Sequence, residues 1–136
     1  MALKTAALAG VDIRIMIPER ADTRLTHFGF LFSYLDDMMR AGVKIYLYQK
    51  GFLHSKLIVS DDTLSTVGST NMDFRSFEHN FEVNAFMYDR TSALILKEIF
   101  LKDQKDAFLL QRKQWIKRPW YQKVQESTIR LLAPLL

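Results

Sequence analysis

The sequence lacks cysteine, which excludes disulfide bonds, a thiolate nucleophile and a cysteine-ligated zinc site. It has three histidines, widely scattered, so we expect neither a structural metal site nor any cofactor. Proline and glycine are also scarce, with three and five residues respectively, and the chain contains no linker, repeat or low-complexity stretch. No apolar run approaches the roughly 18 residues that a membrane-spanning helix needs.

Hydrophobic residues make up 49% of the 136-residue chain and charged residues 25%, a balance typical of a soluble globular protein. The length suits one ordinary domain, so we predict a single domain over residues 1–136. The small apolar residues before Gly10 indicate the last turns of a helix, because glycine is favoured just past a helix C-terminus. A chain that starts inside a helix is expected to be a fragment of a longer protein.

The hydrophobic pattern changes period along the chain. Apolar residues recur at three- and four-residue steps from about Thr23 to Ala41, which predicts an amphipathic helix closed by Gly42. Strands are predicted at 11–17, 43–48, 52–60, 64–67 and 81–88, and helical pieces from 89 to the end, broken near Pro119 and Pro134. We therefore expect an α/β fold, with a mixed sheet and helices on both faces.

Positive charge is concentrated in the basic helical region at about 90–136. Between Lys102 and Arg130, eight basic residues stand against three acidic ones, and three large aromatic residues lie among them. These aromatic residues are Trp115, Trp120 and Tyr121. Basic residues mixed with aromatics suit an anionic membrane surface or a nucleic-acid backbone. The same pattern is common on solvated helical faces, so all three interpretations stay open.

The strongest chemical signal is the motif His54-Ser-Lys56…Asp61…Gly68-Ser-Thr-Asn71. Side chains two residues apart on a strand share a face, so His54 and Lys56 point the same way, with Cα atoms about 6.6 Å apart. An imidazole and an ammonium at that spacing both reach one phosphate. Asp61 has the opposite parity and begins the Asp61-Asp62 turn. We interpret it as a turn-fixing carboxylate outside the phosphate site, although it completes the motif.

Polar residues further along extend the candidate site. Gly68 allows a tight turn, and Ser69 and Asn71 offer hydrogen-bond donors for phosphate oxygens. Glu82 stands on the following predicted strand, where a carboxylate can hold a histidine ring in the tautomer needed for nucleophilic attack. Taken singly, a strand histidine is usually structural, and a lysine or glutamate is usually solvated. The grouping of these residues is what favours phosphate chemistry.

The segments His-Ser-Lys-Leu-Ile-Val-Ser-Asp at 54–61 and Gly-Ser-Thr-Asn-Met-Asp-Phe-Arg-Ser-Phe-Glu-His-Asn-Phe-Glu at 68–82 resemble the phospholipase D superfamily and its HKD motif. Within it, the chain resembles the C-terminal half of bacterial cardiolipin synthases along its whole length, down to the closing Arg-Leu-Leu-Ala-Pro-Leu-Leu. The resemblance implies a phospholipase D-like half-domain with one HKD motif at 54–71.

The resemblance also implies a mechanism. In this superfamily the motif histidine forms a covalent phosphohistidine, and a second motif's histidine protonates the leaving alcohol and activates the next one. No metal takes part. Transferred to this sequence, the catalytic motif consists of His54, Lys56 and Asp61, with His54 as the nucleophile or its acid–base partner and Lys56 as a phosphate ligand.

Supporting roles fall, by the same resemblance, to Ser69, Asn71 and Glu82. Asn71 is implied as a phosphate ligand, Ser69 as a supporting ligand and Glu82 as the residue that orients the opposite histidine. The family's synthases carry two motifs after membrane-spanning helices, whereas this sequence has one motif and no span. Neither His27 nor His79 is followed by a lysine two residues on. The second half is therefore expected from the full-length chain or from a homodimer.

The leading hypothesis is synthesis of cardiolipin from two phosphatidylglycerols at the bacterial cell membrane, with this fragment peripheral to it. The expected partners are phosphatidylglycerol or another anionic phospholipid, the membrane surface and the second HKD half, with nucleic acid less favoured. The same His54 and Lys56 would serve a phospholipase D-type hydrolase or a nuclease, and an inactive truncated half-domain is the third alternative. The motif alone does not distinguish these functions.

The substitution Asp61→Asn is expected mainly to lower the stability of the fold, because Asp61 is interpreted as a turn-fixing residue.

Overall fold

The computed structural model describes residues 1–19 and 34–119. This part of the chain contains both helices and strands. The helices are α1 (Ala2–Leu8), α2 (34–40), α3 (Phe74–Glu78), α4 (Arg90–Gln104) and α5 (Arg112–Trp115). The strands are β1 (Arg14–Pro18), β2 (Lys44–Tyr48), β3 (Leu57–Ser60), β4 (Leu64–Gly68), β5 (Asn84–Met87) and β6 (Ala107–Leu109). β2, β3 and β4 follow one another without a helix between them.

The first sheet has the strand order β1-β2-β6. β1 and β2 are parallel, with Ile15 opposite Ile45, and β6 pairs antiparallel with β2, with Leu109 opposite Tyr46. The hydrophobic core lies beside this sheet. Its buried members are Ile17, Leu35, Val43, Ile45 and Trp115. Because these residues come from β1, α2, the start of β2 and α5, the core joins distant parts of the chain.

The second sheet is an antiparallel meander with the order β3-β4-β5. Ile58, Thr66 and Phe86 stand opposite one another across the three strands, so they share one face. Ser65, on the other face, is fully buried, and α4 contacts both β3 and β4. α4 also contacts β2 and β6, so this helix connects the two sheets.

The predicted α/β class is confirmed, and so are two predicted helix ends. α1 stops before Gly10 and α2 stops before Gly42, where φ is 94° and 97° respectively. Glycine adopts this left-handed conformation without steric cost, and both helices therefore end there. The part of the predicted 23–41 helix that precedes residue 34 lies outside the described residues.

Several element predictions were wrong in detail. The strand predicted at 52–60 begins at Leu57, and the one predicted at 81–88 covers Asn84–Met87. Helix α3 was not predicted. The residues of β6 were predicted to be helical, but they form a strand because β2, which is distant in sequence, offers them a free edge. Among the described residues the strands form two sheets, where one was expected.

Part of the C-terminal prediction falls on residues that are not described. Trp120, Tyr121 and the predicted break at Pro134 lie outside 34–119. Within 1–19 and 34–119, no helix is both long enough and apolar enough to cross a membrane.

Candidate active site

The first part of the motif lies on the irregular segment that leads into β3. His54 is exposed, and its ring stacks on Phe52 with centroids 5.4 Å apart. Lys56 Nζ donates a hydrogen bond to the backbone oxygen of His54 at 2.8 Å. An ammonium has three donors, so two N–H groups of Lys56 remain for a phosphate. The structure brings the two residues together, although not as neighbours on a strand face, because the strand begins only at Leu57.

Gly68 ends β4 beside Lys56. Its N–H donates to the backbone oxygen of Lys56 at 3.1 Å, which joins the two parts of the motif at one end of the β3–β4 hairpin. A Cβ atom at Gly68 would collide with Asn84 Oδ1 and the backbone oxygen of Val83, and would lie 2.6 Å from Asn84 Cγ. Asn84 Nδ2 in turn donates to Thr70 Oγ1. The absence of a side chain at Gly68 is what permits this close approach.

Ser69 and Glu82 are held as a pair just beyond Gly68. Glu82 Oε2 accepts a hydrogen bond from the Ser69 hydroxyl at 2.5 Å, and Glu82 Oε1 accepts one from Asn80 Nδ2 at 3.2 Å. The backbone N–H of Ser69 donates to the Val83 oxygen at 2.9 Å, and the Val83 N–H donates to Ser69 Oγ at 3.0 Å. The motif turn is thereby fixed against the chain that enters β5.

The pKa of Glu82 is lowered from its ordinary value of 4.5, first by the Ser69 hydrogen bond. Asn80, Ser76 and the positive charge of Lys56 act in the same direction, and desolvation opposes them. Glu82 is therefore ionised at neutral pH and serves only as a hydrogen-bond acceptor. A carboxylate in this state can hold the N–H of an imidazole, the role predicted for Glu82.

Asp61 lies at the opposite end of the hairpin from this group. Asp61 and Asp62 form the predicted turn, with φ of 50° and 58°. Asp61 Oδ2 accepts from Ser60 Oγ at 3.2 Å, and Asp62 Oδ1 accepts from Lys97 Nζ of α4 at 2.6 Å. Asp61 is five steps along the chain from Lys56, which in extended chain is a distance of about 16 Å. This position fits a carboxylate that shapes the turn and does not contact a phosphate bound at Lys56.

Replacing Asp61 by glycine is expected to raise the free energy of unfolding by up to about 1 kcal/mol, because glycine has no Cβ to oppose a positive φ. Asp61→Val is expected to lower it by about 1–2 kcal/mol, since β-branched residues tolerate this region worst. Urea denaturation of both variants measures the change. Phosphoryl transfer is expected to survive in Asp61→Gly. A well-folded Asp61→Gly variant without activity would contradict the turn role and would indicate that Asp61 takes part in the reaction.

Residues that support the site escaped prediction. Asp73 caps α3 by accepting the Ser76 N–H at 2.7 Å, and Arg75 Nε donates to Asn80 Oδ1 at 3.3 Å just past that helix. The sequence indicated a contact between Asn80 and Glu82 only through their spacing of two residues, because alternating residues of an extended segment share a face. The hydrogen bond between Arg75 and Asn80 could not be predicted from the sequence, because it depends on the bend of the chain after α3.

An imidazole, an ammonium and a carboxamide are groups that can bind a phosphate or attack its phosphorus. Lys56 supplies positive charge, Asn71 is exposed at the end of the motif turn, and the His54 imidazole is accessible. Such preorganised donors stabilise charge that develops on phosphate oxygens. Within residues 1–19 and 34–119, no three histidine, aspartate or glutamate side chains are close enough to hold a metal ion.

Sequence comparisons identify the family of the chain. Residues 1–104 match the family described as cardiolipin synthase, PLD-like domain. The chain is 47% identical over 135 residues to the cardiolipin synthases of Halalkalibacterium halodurans and Geobacillus kaustophilus, and to cardiolipin synthase 2 of Bacillus cereus. These alignments cover 99% of this chain but only 27%, 27% and 26% of the three relatives, so the chain spans about a quarter of their length.

The fold has a counterpart among solved structures. The crystal structure of a phospholipase D family member, Nuc from Salmonella typhimurium, superposes with a TM-score of 0.68. The superposition covers 81% of this chain and 71% of that chain at 23% identity, which confirms the predicted phospholipase D-like fold. Together with the family match over residues 1–104, the sequence resemblance is confirmed as well. The chain belongs to the family of cardiolipin synthase, PLD-like domains.

Proposed function

We propose that this chain supplies one half of the active site of a cardiolipin synthase, a phosphatidyltransferase that joins two phosphatidylglycerols and releases glycerol. The observation that carries the proposal is the position of Lys56: its Nζ bonds to the His54 backbone oxygen, and its own backbone oxygen accepts the N–H of Gly68 at the motif turn. Glu82 bonds to Ser69 of the same turn, so the proposed nucleophile, cation and orienting carboxylate come from three chain segments that meet at the motif turn. The cardiolipin synthases that the chain resembles support the choice of reaction.

In the proposed reaction, an imidazole nitrogen of His54 attacks the phosphorus of one phosphatidylglycerol, and a P–N bond replaces the P–O bond to the headgroup glycerol. The departing glycerol oxygen takes a proton from the second motif's histidine. That histidine then removes a proton from a hydroxyl of a second phosphatidylglycerol, whose oxygen attacks the phosphorus and displaces His54. Lys56 and Asn71 bind the non-bridging oxygens in both steps. Cardiolipin leaves, and both histidines return to their starting states.

The second motif comes, in this proposal, from another part of the full-length chain or from a second copy. The exposed face of the second sheet supports such a partner. Ile58 is 51% exposed and Phe86 is 63% exposed, while Phe81 and Val83 just before β5 are more exposed still. Apolar surface of this kind, beside a polar site, marks contact surfaces in soluble proteins. Either source would bring two motif histidines to one phosphate.

We also propose that the enzyme works at the bacterial cell membrane, with this part of the chain peripheral to the bilayer and phosphatidylglycerol or another anionic phospholipid as its partner. The net charge of +4 supports an attraction to anionic lipid. So does the basic C-terminal third, in which Lys102, Lys105, Lys113 and Lys117 are exposed, whereas Trp115 is buried in the core.

The test uses vesicles of phosphatidylglycerol labelled in the phosphatidyl group. The chain is incubated alone and together with a polypeptide that carries the second motif, and trapped label is located by mass spectrometry. We expect label on the peptide that contains His54, and cardiolipin and glycerol as products when both halves are present. Plasmid DNA is offered in parallel as the competing substrate.

Each other outcome points to a different function. Nicked DNA without a lipid product would refute the proposal in favour of a nuclease of the same superfamily. Phosphatidic acid in place of cardiolipin would indicate a hydrolase that uses water as the acceptor. No label and no lipid product with either preparation would favour an inactive half-domain, whereas label on the second motif's histidine would make His54 the acid–base partner.

A further inference from the structure

Asn80 lies between α3 and Glu82, and the proposed reaction gives it no role. Its backbone N–H donates to the Arg75 oxygen at 2.9 Å, and its Oδ1 accepts from Arg75 Nε at 3.3 Å. Both bonds tie Asn80 to the end of α3, a helix whose first turn is capped by Asp73. One side of the Asn80 amide is therefore anchored to a guanidinium.

The other side of the amide faces the active site. Asn80 Nδ2 donates to Glu82 Oε1 at 3.2 Å, while Glu82 Oε2 accepts the Ser69 hydroxyl at 2.5 Å. The side chains Arg75, Asn80, Glu82 and Ser69 thus form one hydrogen-bonded line from α3 to the motif turn. Its direction is fixed, because the amide oxygen faces a cation and the amide NH₂ faces a carboxylate.

We propose that Asn80 is a positioning residue: anchored by Arg75, it fixes the direction in which Glu82 presents its carboxylate to the histidine that Glu82 orients. The inference rests on the proposed function and deepens it. It also changes the role of Ser69. A serine hydroxyl has one proton, and that of Ser69 is directed to Glu82, so Ser69 holds the carboxylate and does not donate to the phosphate.

Among the causes of the lowered pKa of Glu82, led by the Ser69 hydrogen bond, Lys56 is the charged group, and it acts from the segment before β3. Arg75, on α3, bonds to Asn80. The Asn80 hydrogen bond is among the causes that lower the pKa of Glu82. Its removal leaves Lys56 and Ser69 in place but frees one carboxylate oxygen to turn toward water. The pKa of Glu82 then rises toward its ordinary value.

The direct test is an NMR titration of the Glu82 carboxyl in the 136-residue chain, with glutamate labelled at the carboxyl carbon. Asn80→Ala is expected to raise the pKa of Glu82. Asn80→Asp keeps the shape and the Arg75 contact but turns a negative charge toward Glu82, so it is expected to raise this pKa further. Gln49→Ala is the matched control, because Gln49 Nε2 donates to Glu19 Oε1 at 3.4 Å beside the first sheet. It is expected to leave the Glu82 titration unchanged.

The kinetic test uses the enzyme assembled from both motif halves and phosphatidylglycerol vesicles. Asn80→Ala is expected to lower kcat about tenfold, the effect of one lost hydrogen bond, with little change in KM, because Asn80 does not touch the substrate. Activity depends on ionised Glu82. The decline on the acidic side of the pH profile therefore starts at a higher pH in the variant than in the unmodified enzyme.

The outcomes separate this inference from the proposed reaction. An unchanged Glu82 titration in both folded variants would overturn the positioning role. If Asn80→Ala fails to fold, the isosteric Asn80→Asp decides the question alone. A shifted titration in a protein that makes no cardiolipin supports the network and refutes the reaction. A raised KM at constant kcat would instead make Asn80 a substrate contact and overturn the inference.

Discussion

Replacing Gly68 by alanine is expected to lower the free energy of unfolding by about 3 kcal/mol or more and to abolish phosphatidyl transfer. The new methyl group would collide with the backbone oxygen of Val83 and with the Asn84 side chain. Asn84 can rotate away, at the cost of its bond to Thr70, but the Val83 backbone cannot move alone because it is paired with Ser69. Relief of the clash must therefore displace the motif turn. Urea denaturation and lipid labelling measure the two losses.

Gly51→Ala provides the matched control for this prediction. A Cβ atom at Gly51 meets nothing within 4 Å, so the same change of residue is expected to alter stability by no more than about 0.5 kcal/mol. Its activity is expected to equal that of the unmodified enzyme. If Gly68→Ala proved as stable as Gly51→Ala, the close approach between the motif turn and the start of β5 would not exist in solution.

His54→Ala is expected to abolish covalent labelling and to reduce phosphatidyl transfer by about four orders of magnitude or more, since the variant loses the imidazole on which the proposed P–N bond forms. The fold is expected to survive. His54 is exposed, and its ring stacks on Phe52, so the free energy of unfolding should change by no more than about 0.5 kcal/mol. The combination of full stability with lost labelling distinguishes a nucleophile from a structural histidine.

His79→Ala is the corresponding control, because His79 is also exposed and also packs against a phenylalanine, Phe74, at 5.5 Å between ring centroids. It lacks a lysine two residues on. We expect His79→Ala to keep its labelling. If His54→Ala keeps some labelling, and this labelling disappears only when His79 is also replaced, the nucleophile is His79 and the assignment of His54 is wrong.

The elements that were predicted well are those whose signals are local. Gly10 and Gly42 end helices because of their own conformational freedom, and the apolar run before Tyr48 forms β2 because it is buried. β6 was missed because three residues become a strand only when β2 lies beside them. The segment 52–56 has the alternation of a strand, yet β4 ends at Gly68 and leaves it without a continuing partner.

The same distinction holds for the site. The resemblance to a known motif identified His54, Lys56 and Glu82 as candidate site residues. Their roles stay predictions. The sequence did not indicate that Ser69 would donate its proton to Glu82, because that bond closes only when the chain before β5 returns to the motif turn. It likewise did not indicate the Arg75–Asn80 link. Interactions that depend on how two loops approach each other cannot be predicted from the spacing of residues in the sequence.

The order of strands in the second sheet has a consequence for folding. β3, β4 and β5 follow one another in the chain and pair in that order, whereas the first sheet must bring β6 back to β2 from a distant part of the sequence. Structures built from contacts near in sequence form fastest, because little chain entropy is lost in closing short loops. We therefore expect residues 54–87 to assemble during synthesis before the first sheet closes. The segment that carries the proposed half-site is then the part that folds early, and the first sheet and its core stabilise it afterwards.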